Sequence, residues 1–217
     1  MYPPSMAGPA RSRNDTVKSD RRFSEVYFGY ASNLSPLTLK GRCPDSLFAG
    51  LARLEGWRFQ INSTGYGNIV PSSPSLAEHE KGNEDKGEKS DHVIGAVFFL
   101  SPRDEAGLDE SEGVPWLYQK QWLNVQRIGS DGAVLEGGEV KCMTYVDVER
   151  TEDGEIMPDY TVWIYKAIRD ARPYGLGEGY VEGSLRKWLP RGGDGDDEER
   201  EIEAVRVMSP RGAGMAV

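Results

Sequence analysis

Residues 93–113 read VIGAVFFLSPRDEAGLDESEG. The first eight are apolar and partly β-branched, the pattern of a strand covered on both faces. The next thirteen change character. Ser101 offers a side-chain oxygen to cap a helix, and Pro102 suits the first turn, where its missing N–H is not needed. Asp104 and Glu105 put negative charge at the positive end of the helix dipole. Gly113 supplies a stop. The stretch therefore predicts a central strand feeding one short acidic helix.

Outward from this centre, more strands precede the helices. The run VYFGY after Glu25 reads as a buried strand, and it ends in the turn-prone Ala31-Ser32-Asn33-Leu34. LFAGLARLEGWRFQINS (47–63) reads as a second long strand region, with Gly50 and Gly56 at bends or bulges. Residues 116–128 and 132–148 alternate, and Gly129-Ser130-Asp131-Gly132 joins them as a hairpin signal. Val140, Cys142, Tyr145 and Val148 are the main apolar positions of the second. Two helical periods follow. Tyr160, Ile164 and Ile168 fall at i, i+4 and i+8, as do Val181, Leu185 and Leu189, and Pro190 ends the second. Strands first and helices late predict an α+β fold: a small, mostly antiparallel sheet or barrel with a few flanking α-helices.

The chain has 217 residues, a length that suits one domain with a real core. The expected organisation is a single catalytic domain over 23–190. A disordered arm precedes it at 1–22, a charged loop is inserted at 72–91, and a disordered acidic tail follows at 191–217. The net charge is −9; residues 1–22, 78–91 and 191–217 carry +3, −3 and −3, so the remainder keeps −6. An acidic body repels a phosphate backbone, so nucleic acid is not an expected partner. No apolar run reaches the roughly 18 residues of a membrane span, and the N-terminus lacks the apolar region of a secretion signal. Cys43 and Cys142 form no disulfide framework, which points to the cytoplasm. Oligomeric state is left open, a homodimer included.

Few residues can do chemistry. His79 and His92 both flank the charged insertion and read as solvated histidines. That leaves no Ser-His-Asp or Cys-His device and no zinc site. There is no phosphate-loop motif. GLGEG (175–179) follows a helix rather than a strand, and reads as a loop. Carboxylates and backbone remain. Asp109, Glu110 and Glu112 lie on the short helix, where acidic residues are usually only solvated. Tyr27 to Leu34, YFGYASNL, is a strand that ends in small polar residues. Such an end caps a turn, or turns free N–H groups toward an anion.

Together, YFGYASNL and the later LDESEGV resemble the gamma-glutamylcyclotransferase family, whose members carry a Tyr-Gly-Ser-Asn-Leu loop and a Glu-Gly pair after a short helix. The resemblance covers about residues 25–190 without the insertion. It includes GYGNI (65–69), VIGAVFFL, Tyr118, KCMTYV (141–146), Pro158-Asp159-Tyr160 and the spacing through 175–185. It implies cleavage of a gamma-glutamyl amide by its own α-amine, giving 5-oxoproline and a free amine or amino acid, with no metal or organic cofactor. Glu112 matches the proton carrier. Tyr27, Tyr30, Ala31, Ser32, Asn33 and Leu34 match the substrate-binding loop, whose backbone N–H groups would hold carboxylate and oxyanion. Tyr118, Tyr145 and Tyr160 would add hydroxyls and walls. One position departs: Ala31 stands where the family has glycine, and Gly29 stands as if the two small residues were exchanged. A positive φ at Ala31 would cost about 1 kcal/mol, unless Gly29 compensates. The substrate class stays open among gamma-glutamyl amino acids, gamma-glutamyl amines and glutathione. Asn33 favours the dipeptide branch, since the glutathione-specific branch lacks it. The alternatives are a weakly active or inactive ligand-binding relative and an interaction module using the insertion or tail.

Overall fold

Five strands close on themselves. The computed structural model describes residues 22–72 and 91–190. The expected arm, insertion and tail, with His79, therefore lie outside the described residues save for their edges. The barrel strands are β1 (Glu25–Gly29), β2 (Leu47–Glu55), β5 (His92–Leu100), β6 (Gln119–Ile128) and β7 (Val134–Val146), in the order β1-β5-β2-β6-β7. Neighbours are antiparallel except at the seam, where β1 meets β7 in parallel through Tyr27 and Met143. β5 lies between β1 and β2, and Val93, Ala96, Val97, Phe98 and Leu100 are all buried. Its uniform apolarity follows from that place.

β2 carries a register shift between Phe48 and Gly50, the bulge expected at that glycine. At Gly56 the chain leaves the barrel. The long strand region read over 47–63 divides there into two strands. β3 (Trp57–Ile61) pairs instead with β4 (Gly67–Pro71) in a separate two-stranded sheet. Gly56 also holds both ends of the β4–β5 connection: its N–H donates to the Asp91 carbonyl at 3.0 Å, and its carbonyl accepts from Ser72 N–H at 2.9 Å.

The helices pack against the barrel and the small sheet. A 3₁₀ turn at Ala31–Leu34 leads into α1 (Pro36–Arg42), which sequence patterning missed. The Ser35 hydroxyl caps it by accepting from Thr38 N–H at 3.0 Å, and Pro36 opens the first turn. α2 (Pro102–Ser111) starts as expected, with the Ser101 hydroxyl accepting from Asp104 N–H at 3.1 Å. α3 (Pro158–Ala171) buries Tyr160, Ile164 and Ile168. The helix read over 177–190 is one α-turn, a π stretch at Val181–Leu185 and a 3₁₀ turn at Arg186–Trp188. Gly179 and Gly183 weaken the α-helical ladder there, yet Val181, Leu185 and Leu189 are buried as their spacing predicts.

A buried polar cluster ties β4 to the end of β7. Asp147 accepts from Asn62 Nδ2 at 2.8 Å and from Arg150 Nη1 at 2.9 Å, while Asn68 bonds the Asp147 backbone at both ends. Cys43 and Cys142 are free and buried, and burial pushes each thiol up to about 12. They are inert packing residues. Among the described residues no helix is long and apolar enough to cross a membrane, and no group of His, Cys, Asp and Glu is placed to hold a metal.

Candidate active site

The end of α2 is a Schellman motif. Gly113 N–H donates to the Glu110 carbonyl at 3.2 Å and Val114 N–H to the Asp109 carbonyl at 3.0 Å, with Gly113 at φ 63°. Glu112 is therefore the C-cap residue, and its backbone turns sharply away behind it. Its side chain points inward, and the residue is only 8% exposed. The acidic stretch is thus divided. Asp109 pairs with Lys120 at 2.6 Å, whereas Glu112 is buried. A carboxylate removed from water costs several kcal/mol unless it is hydrogen-bonded.

Asn33 meets Glu112. Its Nδ2 donates to Glu112 Oε1 at 3.4 Å and to the Tyr27 hydroxyl at 2.9 Å. The 3₁₀ turn after β1 places Asn33 there, and α3 and β4 pack behind that turn. On the other side Tyr160 OH reaches Ser32 Oγ at 3.5 Å. Tyr30 OH donates to the Tyr145 carbonyl at 2.6 Å, Tyr145 OH to Asp109 Oδ1 at 2.8 Å and Tyr118 OH to the Gly67 carbonyl at 3.0 Å. All five tyrosines are buried, as are Ser32, Asn33 and Leu34. Leu34 belongs to the apolar core.

The electrostatics follow from burial. Desolvation pushes Tyr27, Tyr30, Tyr118, Tyr145 and Tyr160 above the ordinary phenol range, so these hydroxyls stay neutral at physiological pH. Burial also raises Glu112, against the opposing pull of the Arg42 guanidinium and the Asn33 amide. A proton carrier that must both take and give a proton near neutrality needs that shift. At Lys120 burial works against the charge, but bonds to Asp109 and Glu105 outweigh it and hold the ammonium above its ordinary range.

Two expectations need adjustment. Ala31 does sit at positive φ, 53°, but Gly29 does not take over the left-handed corner. Gly29 is small for another reason: a Cβ there would lie 2.8 Å from the Asn33 carbonyl oxygen. Room for the Ala31 methyl comes from Gly67 on β4, where a Cβ would lie only 2.5 Å from that methyl. The loop's N–H groups are also not all free. Asn33 N–H is used within the turn, donating to the Tyr30 carbonyl at 3.1 Å. Ala31 and Ser32 N–H find no backbone acceptor among the described residues, as expected at the start of a helical turn.

Arg42 is the residue that sequence reading missed. It closes α1, and its Nη2 donates to Glu112 Oε1 at 3.1 Å and to Ser111 Oγ at 2.6 Å. Its Nη1 donates to Asn33 Oδ1 at 2.7 Å. The signal for the helix that carries it was Ser35-Pro36, a cap followed by a first-turn proline. His92 stands away from this cluster, with its ring 5.5 Å from that of Tyr180.

No family model matches the chain, and no curated protein matches it. Solved structures do. An uncharacterized human protein shares 24% identity at TM-score 0.58, covering 84% of this chain and 98% of its own. A structure named gamma-glutamyl cyclotransferase gives 24% identity and TM-score 0.58 over 83% and 98%. The chain has a gamma-glutamylcyclotransferase-like fold. YkqA of Bacillus subtilis is more distant, at 16% identity and TM-score 0.53 over 77% of this chain and 56% of its own. Within the gamma-glutamylcyclotransferase-like fold, this chain brings a buried carboxylate, an amide, a guanidinium and neutral phenols to one end of β1 and α2. Such a set can move a proton and orient a polar ligand.

Proposed function

We propose that this chain is a gamma-glutamylcyclotransferase acting on a gamma-glutamyl amino acid or dipeptide. The observation that carries the reading is one contact. Asn33 of the loop and Glu112 of the helix end, 79 residues apart, meet at 3.4 Å in a buried site.

The chemistry asks for little else. The glutamyl chain curls so that its α-nitrogen faces its own Cδ, and a site selecting that conformer replaces an encounter with a preset geometry. Glu112 takes a proton from the α-ammonium. The freed amine attacks Cδ, and a new C–N bond forms. Ala31 and Ser32 N–H are the candidates to receive the oxyanion. The proton held by Glu112 passes to the leaving nitrogen, and the old amide bond breaks. The second proton of the ring nitrogen is given up to the departing amine, which leaves as ammonium. The products are 5-oxoproline and a free amino acid, so no electron carrier is required. Phenols of Tyr27, Tyr30, Tyr118, Tyr145 and Tyr160 wall the site, and Leu34 anchors the loop in the core.

Glu112→Gln tests this. Release of 5-oxoproline should fall by about 10²- to 10⁴-fold, with circular dichroism unchanged. Turnover at the wild-type rate would overturn the assignment. A second reading, a ligand-binding relative with little turnover, draws on the left-handed Ala31 in the binding loop. A panel of gamma-glutamyl peptides, gamma-glutamyl amines and glutathione separates the two: binding without 5-oxoproline across the panel favours the second.

A further inference from the structure

Glu112 has two oxygens in unequal surroundings. Oε1 accepts from Arg42 Nη2 at 3.1 Å and from Asn33 Nδ2 at 3.4 Å. No donor among the described residues reaches Oε2. Arg42 also fixes which way the Asn33 amide faces, because its Nη1 donates to Asn33 Oδ1 at 2.7 Å. With that oxygen held, Nδ2 must turn toward Tyr27 and Glu112. The guanidinium is itself held by Ser111 Oγ at 2.6 Å, and that hydroxyl donates to the Leu108 carbonyl at 3.1 Å.

We propose that Arg42 is a positioning residue that ties down Oε1 of Glu112 and the Asn33 amide together, leaving Oε2 as the atom that exchanges the proton. The inference rests on the cyclotransferase reading for the proton's destination, but not for the geometry. A planar fork suits the task, because two nitrogens bond two acceptors in one plane. A lysine could supply the charge but not the fork.

Other groups around Glu112 do not compete for this role. Tyr27 (β1), Tyr30 (β1–α1 loop), Tyr118 (α2–β6 connection), Tyr145 (β7) and Tyr160 (α3) are neutral phenols, and burial keeps them so. Cys43, next to Arg42, is a neutral thiol, and Asp109 on α2 is paired with Lys120. Arg42 is thus the cation bonded to Glu112.

The test compares wild type, Arg42→Gln and Arg42→Lys in the full chain. Removing a cation adjacent to a carboxylate moves its titration up by about one to three pH units. Arg42→Gln should therefore shift the acidic limb of kcat to higher pH, with activity lost near neutrality and partly regained in alkali. Arg42→Lys should keep the limb near its wild-type position but lower kcat about 10-fold, through loss of the second bond. An unshifted limb in Arg42→Gln, with only thermal stability or KM changed, would overturn the proposal. So would wild-type kcat in Arg42→Lys. Carbon-13 titration of the Glu112 carboxyl in wild type and Arg42→Gln reads the same shift without substrate. If no gamma-glutamyl compound is turned over but that shift is present, the chemistry is wrong and the positioning stands. If the titration is unmoved, the positioning fails whatever the activity.

Discussion

Two left-handed corners flank Glu112, and they are built differently. At Gly113 the corner follows the ordinary rule: glycine adopts φ 63° without steric cost, and a Cβ there would also crowd Leu117 at 2.9 Å. At Ala31 the same kind of backbone, φ 53°, carries a methyl group. That corner survives because the missing side chain is on the facing strand, at Gly67. One corner is permitted by its own residue and the other by its neighbour. A left-handed position is therefore a property of a packed pair as well as of one residue.

Gly67 is where the Ala31 corner is most vulnerable. Gly67→Ala would set two Cβ atoms 2.5 Å apart, with the Tyr160 hydroxyl 3.1 Å away. Neither methyl can rotate aside, so we expect destabilisation of about 2–3 kcal/mol, read by urea unfolding. Adding Ala31→Gly should recover a large part of it, and a purely additive double mutant would show that the two positions are not coupled. Next comes Gly113→Ala. The left-handed alanine costs about 1–2 kcal/mol, and Leu117 can rotate to ease its contact. Because Gly113 sets the C-cap that aims Glu112, activity should fall more than stability suggests. The smallest effect is Ala31→Gly alone. Relief of the corner and the added freedom of the unfolded chain nearly cancel, so stability should stay within about 1 kcal/mol and 5-oxoproline release should equal or exceed wild type. A marked loss of activity would mean that the methyl itself contributes to the site.

The elements with strong local signals were legible in the sequence. VIGAVFFL is a strand because nothing polar could sit on either face of β5. Ser101, Pro102 and Gly113 bracket α2 with caps whose chemistry is local. Glu112 and Asn33 were readable only as a pair, through a family pattern, since each alone looks like a solvated acid or a turn cap. Arg42 was hidden for a physical reason. α1 spans two turns and buries Leu39 alone, so it has no hydrophobic period to see. Its arginine looks like surface charge until the fold carries α2 against it. The split of 47–63 into two sheets was equally hidden. A glycine in a strand signals a bend, but not whether the chain returns to the same sheet.

The hydrogen bonds at Gly56 have a consequence for chain length. Ser72 and Asp91 are both hydrogen-bonded to one residue, so the two ends of the 18-residue connection between them are fixed at the same place. For a flexible connection with fixed ends the closure entropy grows only logarithmically with length, about 0.6 kcal/mol for each doubling. Shortening this connection, or lengthening it twofold, should leave the barrel's melting behaviour almost unchanged. The joint at Gly56 is thus a place where evolution can add or delete sequence without the barrel registering it.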